Sequence, residues 1–314
     1  MTRPIALLVL IIASASGLST VTADQTRSWR FSETPTQFDV GDALLRGQDG
    51  RYTPGTLFQW SQGNSFGGGP DLNEPLVTDR PDFTEAGSTV GRGVAQIEFG
   101  YTYTLNDDAG MRDVSHSVGE PLLRHGILAE WLELRIGLFP VSANSATGAA
   151  RTSTSGLEDL YLGLKIGLTP QESLLPEMAI IPQMTVPTGS TAFTNDEVLP
   201  GANWNYAWEV NDFISTGGSS QFNRSRDETT LDTYTEFAQS WTVAYSLSDR
   251  VGAYAEWYGL MPNGAATARP EHYFNGGFTY LLCDNMQFDI RAGVGLNDVA
   301  DDYFVGTGLS IRFP

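Results

Sequence analysis

The chain of 314 residues contains one cysteine, Cys283, so no internal disulfide can brace it. Basic residues are scarce too, with 18 Lys and Arg against 37 Asp and Glu and a formal charge of −19. A surface of that sign repels the phosphates of DNA and RNA, and nucleic acid is excluded as a partner. Only three histidines occur, His116, His125 and His272. Neither a Gly-x-Ser-x-Gly elbow nor a paired-histidine metal spacing accompanies them, so the sequence points to no catalytic residue, no cofactor and no metal. Enzyme chemistry survives only as a barrel lipid hydrolase with a histidine base. Long apolar runs are missing as well. The run from Ile5 to Ile12 is well short of the ~20 residues of a membrane-crossing helix, and no later stretch approaches that length.

That short run has the flanks of an export signal. Arg3 supplies the positive start, and Val21-Thr22-Ala23 supplies small residues for cleavage before Asp24. Residues 1–23 are therefore expected to be a signal peptide. Residues 24–92 are rich in Gly, Ser, Pro, Asp and Asn, with breakers at Gly67-Gly68-Gly69-Pro70 and Thr78-Asp79-Arg80-Pro81-Asp82, and are expected to form an irregular leader.

From residue 93 to 314 the texture is that of many strands and few helices. In the last segment Tyr303, Val305, Thr307, Leu309, Ile311 and Phe313 share one face, with Gly306, Gly308, Ser310 and Arg312 on the other. The same alternation sets Phe288, Ile290, Ala292 and Val294 against Gln287, Asp289, Arg291 and Gly293. It also sets Leu132, Leu134 and Ile136 against Glu133, Arg135 and Gly137, and Leu160 to Leu168 against Asp159, Tyr161, Gly163, Lys165 and Gly167. A soluble sandwich also alternates, so periodicity alone leaves sandwich and barrel open.

Three features favour a transmembrane antiparallel up-and-down β-barrel of about 12 strands. The segments are about 10–12 residues long, which at ~40° tilt covers roughly 28 Å of bilayer. Tight connections (Leu247-Ser248-Asp249, Cys283-Asp284-Asn285) alternate with long polar ones (Val141 to Gly156, Gly189 to Ala202, Met261 to Pro270), as short periplasmic turns alternate with longer outer loops. Trp and Tyr recur near strand ends, among them Tyr101, Trp204, Trp241 and Tyr280, where an aromatic girdle would sit. Closure removes the exposed edges that an open sheet of this size would carry. The expected location is the outer membrane of a Gram-negative type cell, with outer-membrane lipid as partner. The barrel-assembly machinery would engage through the last strand, ending at Phe313.

Thr78-Asp79-Arg80-Pro81-Asp82-Phe83-Thr84-Glu85 followed by Gln96-Ile97-Glu98-Phe99-Gly100-Tyr101-Thr102-Tyr103 resembles a family of outer-membrane transporters associated with the meta-pathway of phenol degradation. Leu122-Leu123-Arg124-His125-Gly126-Ile127, Asp159-Leu160-Tyr161-Leu162-Gly163-Leu164-Lys165 and Gln287 to Gly293 are similar to it too. The resemblance covers the barrel and the segment just before it. It implies a channel or transporter for a small-molecule solute, apolar or aromatic, and carries over no site residue.

Charges of both signs are expected to face inward: Glu98, Glu133, Arg135, Asp159, Lys165, Glu236, Glu256, Asp289, Arg291 and Arg312. A basic side chain facing lipid at the midplane would cost about 2–4 kcal/mol. Such charges can line a selective pore, or they can pair with one another and fill the lumen of a closed structural or adhesive barrel. Asp79, Arg80 and Asp82 stand just before the first strand, where the leader can either fold into the lumen as a plug or extend into the periplasm. The acidic loops at Asn106-Asp107-Asp108 and at Asp298, Asp301 and Asp302 lack calcium-loop spacing and read as solvated outer loops.

Overall fold

A computed structural model describes residues 57–58, 72–108, 110–227 and 229–314. The expected signal peptide and most of the leader lie outside the described residues.

Fourteen strands follow one another with no helix among the described residues. They are β1 (Ala95–Asp108), β2 (Met111–Gly126), β3 (Leu132–Gly137), β4 (Pro140–Thr147), β5 (Ala150–Leu157), β6 (Leu160–Thr169), β7 (Glu177–Val186), β8 (Leu199–Asn211), β9 (Ile214–Arg226), β10 (Thr233–Ser248), β11 (Val251–Asn263), β12 (Glu271–Cys283), β13 (Met286–Gly295) and β14 (Tyr303–Phe313). All pairings between them are antiparallel, and β1 bonds both β2 and β14, which closes the sheet. β2 pairs with β3 near its end and with β4 near its start, while β3 pairs with β6 and β4 with β5. β3–β4 and β5–β6 are thus two long staves, each interrupted at one point, and the closed barrel has twelve staves.

One expected loop is corrected. Residues Val141 to Gly156 form most of the β4–β5 hairpin, turning at 148–149. Their Ser, Thr and Ala residues are polar or small on both faces because this hairpin rises beyond the apolar belt and has no lipid-facing stripe to reveal it. The other two long connections are shorter than expected, because β8 begins at Leu199 and β11 runs to Asn263.

The usual core is turned inside out. Phe99, Leu164, Trp204, Trp241, Phe278, Phe288, Ile290 and Val305 are exposed on the outer face, whereas Glu98, Arg124, Glu133, Arg135, Lys165, Glu256 and Asp289 are buried. A barrel in lipid requires this arrangement, since lipid solvates the apolar belt and the lumen must satisfy the polar groups. Outward-facing aromatics cluster as expected of a girdle: Tyr101 contacts His116 at 2.8 Å, Tyr103 lies against Tyr303, and Trp208 lies against Trp241.

Candidate functional site: the lumen and the segment across it

The described leader residues from Leu72 enter the barrel at the end that holds the chain's C-terminus. Arg312 of β14 donates to the carbonyls of Leu72 and Glu74, and the Leu76 amide donates to Asp284 in the β12–β13 turn. The segment rises through residues 77–84 and returns to the same end. There the Val90 amide donates to Glu133 (2.9 Å) and the Gly93 amide donates to the Gly126 carbonyl before β1 begins. It is a re-entrant loop that enters and leaves at the same end of the barrel.

Its anchor is Asp79. Burial alone would raise this carboxyl, but Arg124, Lys165 and Arg135 outweigh burial and hold it well below the usual carboxylate range. Lys165 Nζ lies 2.8 Å from Asp79, Arg124 lies 3.2 Å away, and Arg135 also pairs with it. Glu133 bridges Arg124 (2.8 Å) and Arg135 (3.1 Å), and Glu98 holds Arg124 at 3.1 Å while accepting from the Asp79 amide. Three carboxylates and three cations thus form one buried cluster, and Glu85 adds a partly exposed fourth acid on Arg135 at 2.9 Å.

Arg80 points the other way, to Glu120 at 2.8 Å and Asp289 at 3.3 Å, and donates to the Thr307 carbonyl. A notch in the wall admits its guanidinium. Gly100 of β1 lies opposite Gly308 of β14 and Gly119 of β2, and a Cβ on Gly100 or Gly308 would occupy the space of the Arg80 side chain. Next along the segment, the amides of Phe83 and Thr84 both donate to Glu256 at 2.7 Å. Glu256 also accepts from Asn275. Asp82 pairs with no cation among the described residues. Burial, then the adjacent Glu256 carboxylate, push it well above the usual carboxylate range.

The remaining inward charges have separate duties. Arg291 donates to the Pro81 carbonyl and to Thr102, and lies over the Phe304 ring. Asp159, between β5 and β6, accepts from the amides of Gly189 and Asn195 and so ties down the 187–198 loop. Glu236 lies near the outer mouth, with Tyr234 at 3.5 Å. Sequence reasoning missed Arg124, Glu120 and Glu85. Arg124 and Glu120 sit on β2, whose alternation is broken by a register shift opposite Glu98–Gly100 and by left-handed Gly119 and Glu120. Two sides of the lumen differ in character. The wall of β8–β10 presents the uncharged Asn203, Asn205, Ser219, Ser240 and Thr242. Toward the outer mouth, Phe83 of the segment stacks on Tyr258 at 4.6 Å, Tyr258 on Tyr273 at 4.8 Å, and Tyr273 meets Phe304 edge-on.

A closed twelve-stave barrel with an apolar outer belt, a charged lumen and a chain segment tied across it defines an outer-membrane β-barrel protein, set in membrane lipid. The family described as Putative MetA-pathway of phenol degradation matches residues 78–313, and the chain belongs to it. The crystal structure of an outer membrane channel from Pseudomonas putida F1 shares its fold, with a TM-score of 0.60 and 16% identity over 74% of this chain and 99% of that one. The translocator domain of autotransporter NalP from Neisseria meningitidis aligns with a TM-score of 0.46 and 12% identity over 71% of this chain and 89% of the other. The CymD monoaromatic hydrocarbon channel aligns at 0.37 and 11% identity, over 71% and 88%. No curated protein matches the sequence.

Proposed function

We propose that this protein is an outer-membrane channel for small apolar or aromatic molecules, with residues 72–94 as a plug held by lumen charges. The observation that carries the reading is the asymmetric lumen. Its charges concentrate on the side that grips Asp79 and Arg80, while an aromatic ladder from Tyr273 through Tyr258 to Phe83 descends from the outer mouth onto the segment itself. Stacked rings offer a planar apolar solute successive contacts of ~0.5–1.5 kcal/mol beyond area burial. The inward charges Glu98, Glu133, Arg135, Lys165, Glu256, Asp289, Arg291 and Arg312 then act mainly on the plug.

The closed structural barrel is the second reading, favoured by the mutual satisfaction of the Asp79 cluster. Liposome uptake separates the two. Small aromatic solutes are expected to enter faster than sugars of similar mass, and Tyr258→Ala with Tyr273→Ala should reduce that preference. No uptake of either solute through folded protein would leave the closed barrel. Against hydrolysis stands the setting of the histidines: His116 contacts Tyr101, His125 the Val94 carbonyl, and His272 stacks on Trp257. The barrel-assembly machinery is the proposed partner of β14, whose terminal Phe313 is half exposed. Phe313→Ala should lower the amount of folded protein reaching the outer membrane.

A further inference from the structure

Toward the outer end of the barrel, Arg112 and Arg151 take part in no ion pair among the described residues. β4 runs between β2 and β5 there, and the register sets Arg112 opposite Ala146 and Ala146 opposite Arg151. Directly opposed residues project from the same face of a sheet. The face is the outward one, because the same register sets Arg112 opposite Asp107 of β1, in line with outward Tyr103 and Tyr101. Both arginines are exposed. Arg112 makes no hydrogen bond or ion pair among the described residues, and Arg151 donates only to the carbonyls of Gly148 and Ala150. Between them Ala146 is small, and the two guanidinium groups flank an open cavity of about 330 Å³ whose other walls include Val114, Asn144 and Ser153.

The two guanidinium groups stand on one face with β4 between them, and Asp107 lies opposite Arg112 on its far side, so an anion seated over Ala146 would be attracted by both arginines. Their height says which anion. Asp107 is four residues beyond Tyr103, whose ring lies against Tyr303 in the girdle, and this places Arg112 about 10 Å outward of the aromatic level at ~2.5 Å of rise along the normal per tilted residue. The cavity therefore opens sideways into the sugar and phosphate layer of the outer leaflet, clear of the acyl chains. Guanidinium groups bind phosphate through paired, charge-assisted hydrogen bonds. We propose that the Arg112–Arg151 cleft binds a phosphate on the headgroup of an outer-leaflet glycolipid. The site lies outside the lumen, so it stands or falls independently of the transport reading.

The test uses the full mature protein in detergent, titrated with a rough-type phosphorylated lipopolysaccharide, with the same glycolipid after dephosphorylation, and with inorganic phosphate. Wild type is expected to bind the phosphorylated glycolipid at least tenfold more tightly than the dephosphorylated one. Arg112→Gln with Arg151→Gln should lose that difference while keeping the heat-modifiable gel mobility of a folded barrel. Equal binding of the two glycolipids to wild type would overturn the proposal even if the double variant did not fold, as would an undiminished difference in the folded variant. Displacement of the glycolipid by inorganic phosphate at equal concentration would overturn the lipid assignment in favour of a free anion.

Discussion

Replacing Asp79 by Asn removes one charge and almost no volume from the point where the lumen segment is tied to the wall. In the native cluster Asp79, Glu98 and Glu133 balance Arg124, Arg135 and Lys165, three against three, and all six side chains are at most 3% exposed. The variant leaves three cations facing two fully buried carboxylates, with Glu85 a partly exposed third at the edge. Lys165 is hit hardest: Asp79 is its only salt-bridge partner among the described residues, and its other hydrogen bond goes to the Ala86 carbonyl of the same segment. Removing one partner of a buried ion pair costs about 3–5 kcal/mol, and burial on both sides leaves no solvent screening to discount. Undocking of the segment relieves the penalty by hydrating the cluster. The docked-to-undocked ratio should therefore fall by about 150-fold to several thousand-fold, at ~1.4 kcal/mol per tenfold. Single-channel recording of the refolded mature protein in planar bilayers reads this directly, as longer or larger open events in Asp79→Asn than in wild type. Adding Lys165→Met removes the stranded cation and should restore much of the docking, so the two changes will not be additive. Conductance and thermal stability both indistinguishable from wild type would refute the reasoning, because the cluster would then not be holding the segment.

Gly308→Ala places a methyl group where the Arg80 guanidinium and the Asp289 carboxylate now lie. It should raise channel opening with the barrel intact by heat-modifiable mobility, whereas Gly167→Ala, whose Cβ meets only ordinary van der Waals contacts, should leave opening unchanged. Asp301 in the 296–302 loop is pushed up to about 6 by burial, then by Glu271, Asp302 and Asp113. The folded loop therefore holds that proton where the unfolded chain has lost it, and its stability falls as pH rises from the ordinary carboxylate range through about 6. Hydrogen-exchange protection in the loop, corrected for the intrinsic pH dependence of amide exchange, should be greater at pH 5 than at pH 7.5, and Asp301→Asn should abolish that difference. Asp227 is held well below the usual carboxylate range by amide donors from Thr267, Thr230 and Thr229. Asp227→Ala should open the 264–270 loop to limited proteolysis while leaving the barrel folded.

Much of this was legible because a barrel writes its two solvents into every second residue. The alternation of Leu132 to Gly137, Leu160 to Leu168, Phe288 to Val294 and Tyr303 to Phe313 gave both the strands and the direction each side chain faces. Where the wall leaves the membrane that constraint lapses. The β4–β5 hairpin stands clear of the acyl chains, so neither of its faces carries an apolar stripe and its Ser and Thr residues resembled a loop. Bulges hide residues in the same way: Arg124, the centre of the ion cluster, was unreadable because Gly119 and Glu120 shift the phase of β2 just before it.

Composition and periodicity by themselves determined the solvent of each face and a count of about 12 strands, because a period of two and a bilayer thickness are local quantities. Which cation holds which acid was decided only by closure. Asp79 meets Lys165 across 86 positions and Arg80 meets Asp289 across 209. The glycine notch at Gly100 and Gly308 exists only because β1 and β14, the two ends of the barrel sequence, lie side by side. Contacts of that range depend on the curvature and register of the whole sheet, and no window of sequence contains them.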